Sequence, residues 1–242
     1  NPNQYYLGDQ NSLLLRAQFS YKDYLKFGFV CDKDAGETLL PKSDTLKKGF
    51  DFYSAHFFLK NIGIIKQLAI GDYHVQFGQG LTMWSGFSMG KAAGSVVMRK
   101  RAPALRPHAS SNEYSFMRGA ATTIGLGRFD ITAFYSGRNV DANLVAADSI
   151  ESSEDYVTSL QETGYHRTPA ELADKGANHE KAAGGHIAWN GRHLRAGITA
   201  FHVNYEIPFE TGDELYKKFQ PELNSNTYLG FDYSYNYKTL TL

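Results

Sequence analysis

Residues 126–138 read LGRFDITAFYSGR. Phe129, Ile131, Ala133 and Tyr135 share one parity, and Asp130, Thr132, Ser136 and Arg138 share the other, with Phe134 breaking the pattern. Period-two alternation marks a β-strand with two unlike faces. If the apolar side meets a protein core, the stretch belongs to an ordinary sandwich. If it meets lipid, the chain belongs to a membrane barrel.

The same period recurs along the chain. Leu13, Leu15, Ala17, Phe19 and Tyr21 oppose Arg16, Gln18 and Ser20; Leu25, Phe27, Phe29 and Cys31 oppose Lys26, Gly28, Val30 and Asp32. A third strand over 50–60 alternates poorly. A fourth, over 65–83, is long and changes phase near Gly71, where a bulge would return Tyr73, Val75 and Phe77 to the face of Leu68 and Ile70. Further strands are expected at 113–126, 129–138, 181–189, 193–205 and 226–235, and the KTLTL ending reads as the opening of a tenth.

The connections carry the strongest argument. Short ones near 22–24, 60–63, 126–128, 190–192 and 236 alternate with long ones over 32–49, 84–112, 139–180 and 206–225. In an up-and-down sheet, alternate turns lie at the same rim, so all tight turns share one end. Outer-membrane barrels have this asymmetry, whereas Greek-key sandwiches do not segregate their loops. The expected fold is an all-β, antiparallel up-and-down transmembrane β-barrel, with about nine to ten strands in a single domain over residues 1–242. Ending just after a turn, the chain reads as part of a larger barrel.

The totals are compatible. Formal net charge is zero over 242 residues, which argues against a partner recognised by bulk charge, such as nucleic acid. Sixteen Tyr and sixteen Phe suit strands and wet–dry boundaries. The single cysteine, Cys31, forms no intrachain disulfide and reads as lipid-facing or buried. No apolar run reaches the roughly 18 residues of a membrane helix, but a barrel strand needs only ~9–11 with one apolar face. The opening NPNQYYLGDQ lacks the pattern of a signal peptide.

Three stretches, YYLGDQNSLLLRAQFSYKDYLKFGFVCDKDAGE, IGDYHVQFGQGLTMWSGFSMGKAAG and LRPHASSNEYSFMRGAATTIGLGRFDITAFYSGRNVDAN, together with the loop motif GYHRTPAEL (164–172), resemble a family of Bacteroidota outer-membrane proteins. The resemblance spans about 1–205. In that family a periplasmic helix-hairpin-helix segment, similar to competence-type DNA-binding modules, precedes a large barrel. The resemblance implies a Gram-negative outer-membrane location; DNA uptake would follow by family analogy alone, since this sequence carries no helix-hairpin-helix segment.

Two groups of residues are candidates for function. Loop 84–112 carries Lys91, Arg99, Lys100, Arg101 and Arg106 without an acid, and Arg118 follows on the next strand. Such a cluster favours anions at a pore constriction or lipopolysaccharide phosphates; the plainer reading is a solvated loop. Asp72, His74 and Gln76 share one strand face and are expected to line a polar lumen rather than perform catalysis. The eight histidines (56, 74, 108, 166, 179, 186, 193 and 202) show no HExxH or similar spacing, so no metal or cofactor is expected. TPAELADKG reads as a short loop helix with Thr168 as N-cap, Pro169 first, Glu171 in the first turn and Gly176 as its stop. GDELYKKF (212–219) reads as another, and IESSEDY (150–156) as a solvated acidic turn.

The functional expectation is therefore a pore or a transport/assembly component, not an enzyme. The alternative is a plugged barrel acting as a surface scaffold. Expected partners are outer-membrane lipid, lipopolysaccharide and other envelope proteins.

Overall fold

The computed structural model describes residues 5–39, 48–86, 102–145, 155–209, 224–237 and 240–241. Strand accounts for 62% and helix for 3%, so the chain is all-β. The main sheet runs β1 (Leu13–Tyr21), β2 (Leu25–Lys33), β3 (Phe52–Ile62), β4 (Ile65–Gln76), β6 (Met117–Leu126), β7 (Phe129–Val140), β10 (Asn178–Asn190), β11 (Leu194–Tyr205), β12 (Ser225–Tyr237) and β13 (Leu240–Thr241). Every neighbouring pair is antiparallel. Each strand pairs with the next main-sheet strand along the chain, as the alternating connections require. Among the described residues the sheet is open, with β1 at one edge and β13 at the other. Three short strands were not read from the sequence: β5 (Ala104–Pro107) pairs with β4, while β8 (Ala142–Val145) and β9 (Tyr156–Leu160) form a separate ribbon.

The two faces of the sheet differ sharply. On one, cross-strand registers line apolar side chains into rows: Phe129, Trp189, Ala196 and Tyr233; then Ile131, Ile187, Ile198 and Phe231; then Ala133, Gly185, Ala200 and Leu229. These rows are bare: Ile131 is 37%, Ile187 51%, Ile198 60% and Phe231 66% exposed. A similar row crosses the other half through Phe19, Phe27, Phe57 and Ile70. The opposite face is the buried one, yet it is largely polar: Thr123, Thr132, Ser136, Arg138, Glu180, His186 and Thr199.

Burial of those polar groups is tolerable because they pair across strands. Thr123 and Thr132 hydroxyls lie 2.9 Å apart, His186 Nδ1 lies 2.9 Å from Thr199 Oγ1, and Arg138 Nε donates to Glu180 Oε1 at 2.9 Å. The Tyr205 hydroxyl donates to the second Glu180 oxygen.

What covers the inner face is the chain itself. At Gly71, which has φ +89, β4 leaves β3; a Cβ there would lie 2.3 Å from the Ala55 carbonyl. The remainder of β4 pairs with β5. Tyr73, Val75, Phe77, Met83 and Leu105 form the buried cluster with Phe58, Ala69, Ala121, Phe134 and Phe201 from the sheet. The Tyr73 hydroxyl donates to the Tyr135 carbonyl at 2.7 Å. This revises the expected phase change: Tyr73, Val75 and Phe77 point into the core rather than rejoining Ile70 on the exposed face. The third strand also alternates cleanly, with Phe52, Ser54, His56 and Phe58 buried and Tyr53, Ala55 and Phe57 exposed.

The loop helix forms as its sequence indicates. Helix α1 (Pro169–Asp174) has a complete capping box between Thr168 and Glu171, and Gly176 follows with φ +59. The 212–219 segment and most of 150–156 lie outside the described residues.

Candidate functional site

Of the basic cluster, Lys91, Arg99, Lys100 and Arg101 lie outside the described residues. Arg106 is exposed on β5, opposite His74 in register. Arg118 grips Asp72 with Nε at 2.7 Å and Nη2 at 2.8 Å, and Nη2 also donates to the Tyr53 carbonyl. Arg118 and Asp72 thus belong to one ion pair, although the sequence placed them in different groups.

Asp72 and Gln76 are buried and His74 half-buried, so among the described residues this face of β4 is tucked against protein. Gln76 Nε2 donates to the Ser85 carbonyl at 3.1 Å. His74 Nε2 lies 3.1 Å from His108 Nδ1, and the Phe116 ring stacks on His108. His108 follows β5; burial pushes it down to about 4, helped by the neighbouring His74 ring. It is a neutral imidazole at pH 7.

The most developed site lies at the long-loop end. A cavity of about 690 Å³ opens between the entry of β3, the chain before β6, the end of β7 and the loop carrying α1. Phe52, Tyr53, Tyr114 and Phe116 supply aromatic walls, while Arg118, Arg138, Glu113 and Asp141 supply polar ones.

His166, from the GYHRTPAEL motif, organises one side of it. The ring is 3% exposed and touches two carboxylates: Nδ1 lies 2.5 Å from Asp51 Oδ2, and Nε2 lies 3.0 Å from Asp141 Oδ2. Burial alone would lower its pKa, but hydrogen bonds and charge from Asp141 and Asp51 outweigh that and hold it at about 9. Burial raises the Asp51 carboxyl, but His166 and Lys175 more than compensate and keep it below the usual range. Lys175 Nζ reaches Asp51 Oδ1 at 2.5 Å. Glu37 accepts from the His166 backbone N–H at 2.9 Å and from that of Asp34 at 2.8 Å. Burial pushes Glu113 up to about 8, reinforced by the charge of Asp51, so this carboxyl is a neutral donor near pH 7.

Comparison with protein-family models, curated proteins and solved structures finds no match. The reading of the site therefore rests on its own chemistry. The cluster clamps three elements together: the loop after β2 through Glu37, the entry of β3 through Asp51, and the α1 loop through His166. Glu37, Asp51 and His166 also place one metal-ligating atom each within 4.8 Å of one another.

Sequence reasoning missed Glu37, Asp51, Asp141, Glu113 and Lys175 as site residues. Asp51 and Glu37 precede His166 by 115 and 129 residues, so no local spacing joins them. The one signal available was the GYHRTPAEL motif itself, which placed a histidine and a capped helix in a long loop.

Proposed function

We propose that this chain forms part of the wall of an outer-membrane β-barrel in a Gram-negative envelope. Its interior is filled by its own folded-in segments, and it acts as a plugged surface or assembly component. The observation that carries this reading is the inversion of the two faces. Rows of Ile, Leu and Phe are bare on one side, while Thr, Ser, His, Arg and Glu are buried on the other. Water would penalise that arrangement, whereas hydrocarbon favours it. The lowest row, with Phe129, Trp189 and Tyr233, has the composition of an interfacial aromatic girdle. From the level of Ala183 upward the outward positions turn polar, with His202 and Thr227 beside Ala183 and then Lys181 and Asn204. The apolar band therefore has two limits. The resemblance to Bacteroidota outer-membrane proteins points the same way.

The plug is favoured over an open pore because the polar inner face is covered by Tyr73, Val75, Phe77, Met83 and Leu105. The pore reading keeps one observation in its favour, the long-loop cavity lined by Arg118 and Arg138. Bilayer conductance of the protein separates the two: the plug predicts little current at neutral pH, and a steady large conductance would favour the pore.

The membrane reading is tested with a spin label at Ile187→Cys in a Cys31→Ser background, with the protein reconstituted in liposomes. Facing acyl chains, the label meets dissolved oxygen and is shielded from a nickel chelate. Equal access to the chelate would overturn the assignment.

A further inference from the structure

We infer that Glu37, Asp51 and His166 form a binding site for a divalent transition cation of the zinc class, with Asp141 positioning the imidazole. The donor atoms lie within 4.8 Å of one another although they come from three separate stretches of chain. Ligands of a tetrahedral zinc at ~2.0–2.2 Å stand roughly 3.4 Å apart, so His166 Nδ1 and Asp51 Oδ2, now 2.5 Å apart, separate by about an ångström while Glu37 adjusts by a similar amount.

Glu37 supplies an argument independent of that proximity. It is 2% exposed, and among the described residues its carboxylate accepts from two backbone N–H groups, those of Asp34 and His166. Among the described residues no lysine, arginine or histidine side chain lies within ion-pair distance of it, and the charges of Asp51 and Asp34 act against its ionised form. A buried carboxylate held only by backbone N–H groups is costly, and the His166 charge near it is already shared between Asp51 and Asp141. A cation beside Glu37 adds positive charge where three carboxylates share one imidazole.

The second argument is the orientation of His166. Its Nε2 faces Asp141 Oδ2 at 3.0 Å, the contact by which a metal-bound imidazole donates its other N–H to a carboxylate. Its Nδ1 then faces Asp51 Oδ2, and the cation replaces the proton held between them. That proton leaves to solvent, and no oxidation state changes. Lys175 occupies Asp51 Oδ1, leaving Oδ2 for the metal. One imidazole with two carboxylates suits zinc, manganese or iron(II), whereas calcium and magnesium take all-oxygen sets. Bound there, the cation would pin the first and third long loops together at the rim. The site stands whether the exposed sheet face meets lipid or protein.

The experiment is equilibrium dialysis of the chelator-stripped, refolded protein against Zn²⁺, with bound metal quantified by mass spectrometry. One saturable equivalent is expected. Glu37→Gln and His166→Gln each weaken binding by roughly tenfold or more, and Asp141→Asn by about tenfold with stoichiometry unchanged. Glu171→Gln, in the same loop but away from the donors, leaves it unaltered. Circular dichroism verifies the fold of each variant. Absence of a saturable equivalent in the wild-type protein overturns the site. So does full retention of zinc in both folded ligand variants.

Discussion

Ile198→Lys gives the sharpest test of what the bare sheet face meets. Ile198 sits on β11 with Ile187 and Phe231 in register on either side, and it is 60% exposed. Along its own strand the outward neighbours are Ala196 and Ala200, so the site lies inside the apolar band rather than at its rim. In water the exchange would be close to neutral, because an exposed isoleucine loses little and surface substitutions usually fall within about ±0.5 kcal/mol. In hydrocarbon a lysine near the midplane of a barrel wall costs about 2–4 kcal/mol, falling to about 0–1 near the interface. At roughly 1.4 kcal/mol per factor of ten, that is a change of about 30-fold to several hundred-fold in the folding equilibrium.

The assay is urea-driven unfolding from phospholipid vesicles, following β-sheet circular dichroism for wild type, Ile198→Lys and Thr227→Lys. Thr227 lies next to His202 in the polar level above the band, so its lysine variant should change stability by less than about 1 kcal/mol. The reasoning therefore predicts a gradient with depth rather than a single number. If Ile198→Lys and Thr227→Lys fall within about 0.5 kcal/mol of each other, no lipid contacts the Ile198 row.

Other expectations follow from the buried side and the loops. Arg138→Met strands Glu180, which is only 8% exposed, and should cost about 3–5 kcal/mol in the same urea assay; adding Glu180→Leu should recover much of that. Thr168→Ala removes half of the capping box and should destabilise α1 locally by about 1 kcal/mol, read as faster tryptic cleavage at Lys175. The Glu113 carboxyl is raised to about 8, so the folded state holds a proton that the unfolded chain has lost above its ordinary range near 4.5. Stability should therefore decline as pH rises from about 4.5 through 8, and Glu113→Gln should flatten that slope in urea midpoints measured with chelator present.

How much of this was legible in the sequence follows from the range of the forces involved. The order of the main strands was readable because alternation and turn length are local, and hairpins between chain neighbours need no distant information. Helix α1 was readable for the same reason: Thr168, Pro169 and Glu171 specify it within four residues. The path of β4 beyond Gly71 was not readable. Tyr73, Val75 and Phe77 look equally suited to lipid and to a core, and only the arrival of β5, with Phe134 and Phe201 opposite, distinguishes them. Asp72, His74 and Gln76 were recognised as polar, but what Asp72 and His74 meet depends on Arg118 and His108, more than thirty residues away. The cluster around His166 lies at the same extreme, since Glu37 and Asp51 come from the connection before β3, more than a hundred residues away, and Asp141 from the far end of its own long loop.

The continuity of β4 bears directly on the choice between pore and plug. A plug carried on a separate domain can leave a barrel as a unit, without disturbing the wall. In the proposed barrel the strand that enters the interior would itself be part of the wall: β4 pairs with β3 over Ile62–His56 and with β6 as far as Tyr73–Met117 before it pairs with β5. The Tyr73 ring is fully buried, and its hydroxyl is fastened to a β7 carbonyl. Withdrawing the folded-in segment would break that hydrogen bond, expose the apolar cluster from Tyr73 to Leu105, and separate Asp72 from Arg118. Each buried large side chain in that cluster is worth about 1.5–3 kcal/mol; the Asp72–Arg118 pair adds less than a fully buried pair would, because the Arg118 side chain is 44% exposed. Opening a lumen by that route would cost more than thermal fluctuation supplies. A transport role for the proposed barrel would therefore require either a partner that binds the displaced segment or passage by way of the long-loop cavity alone.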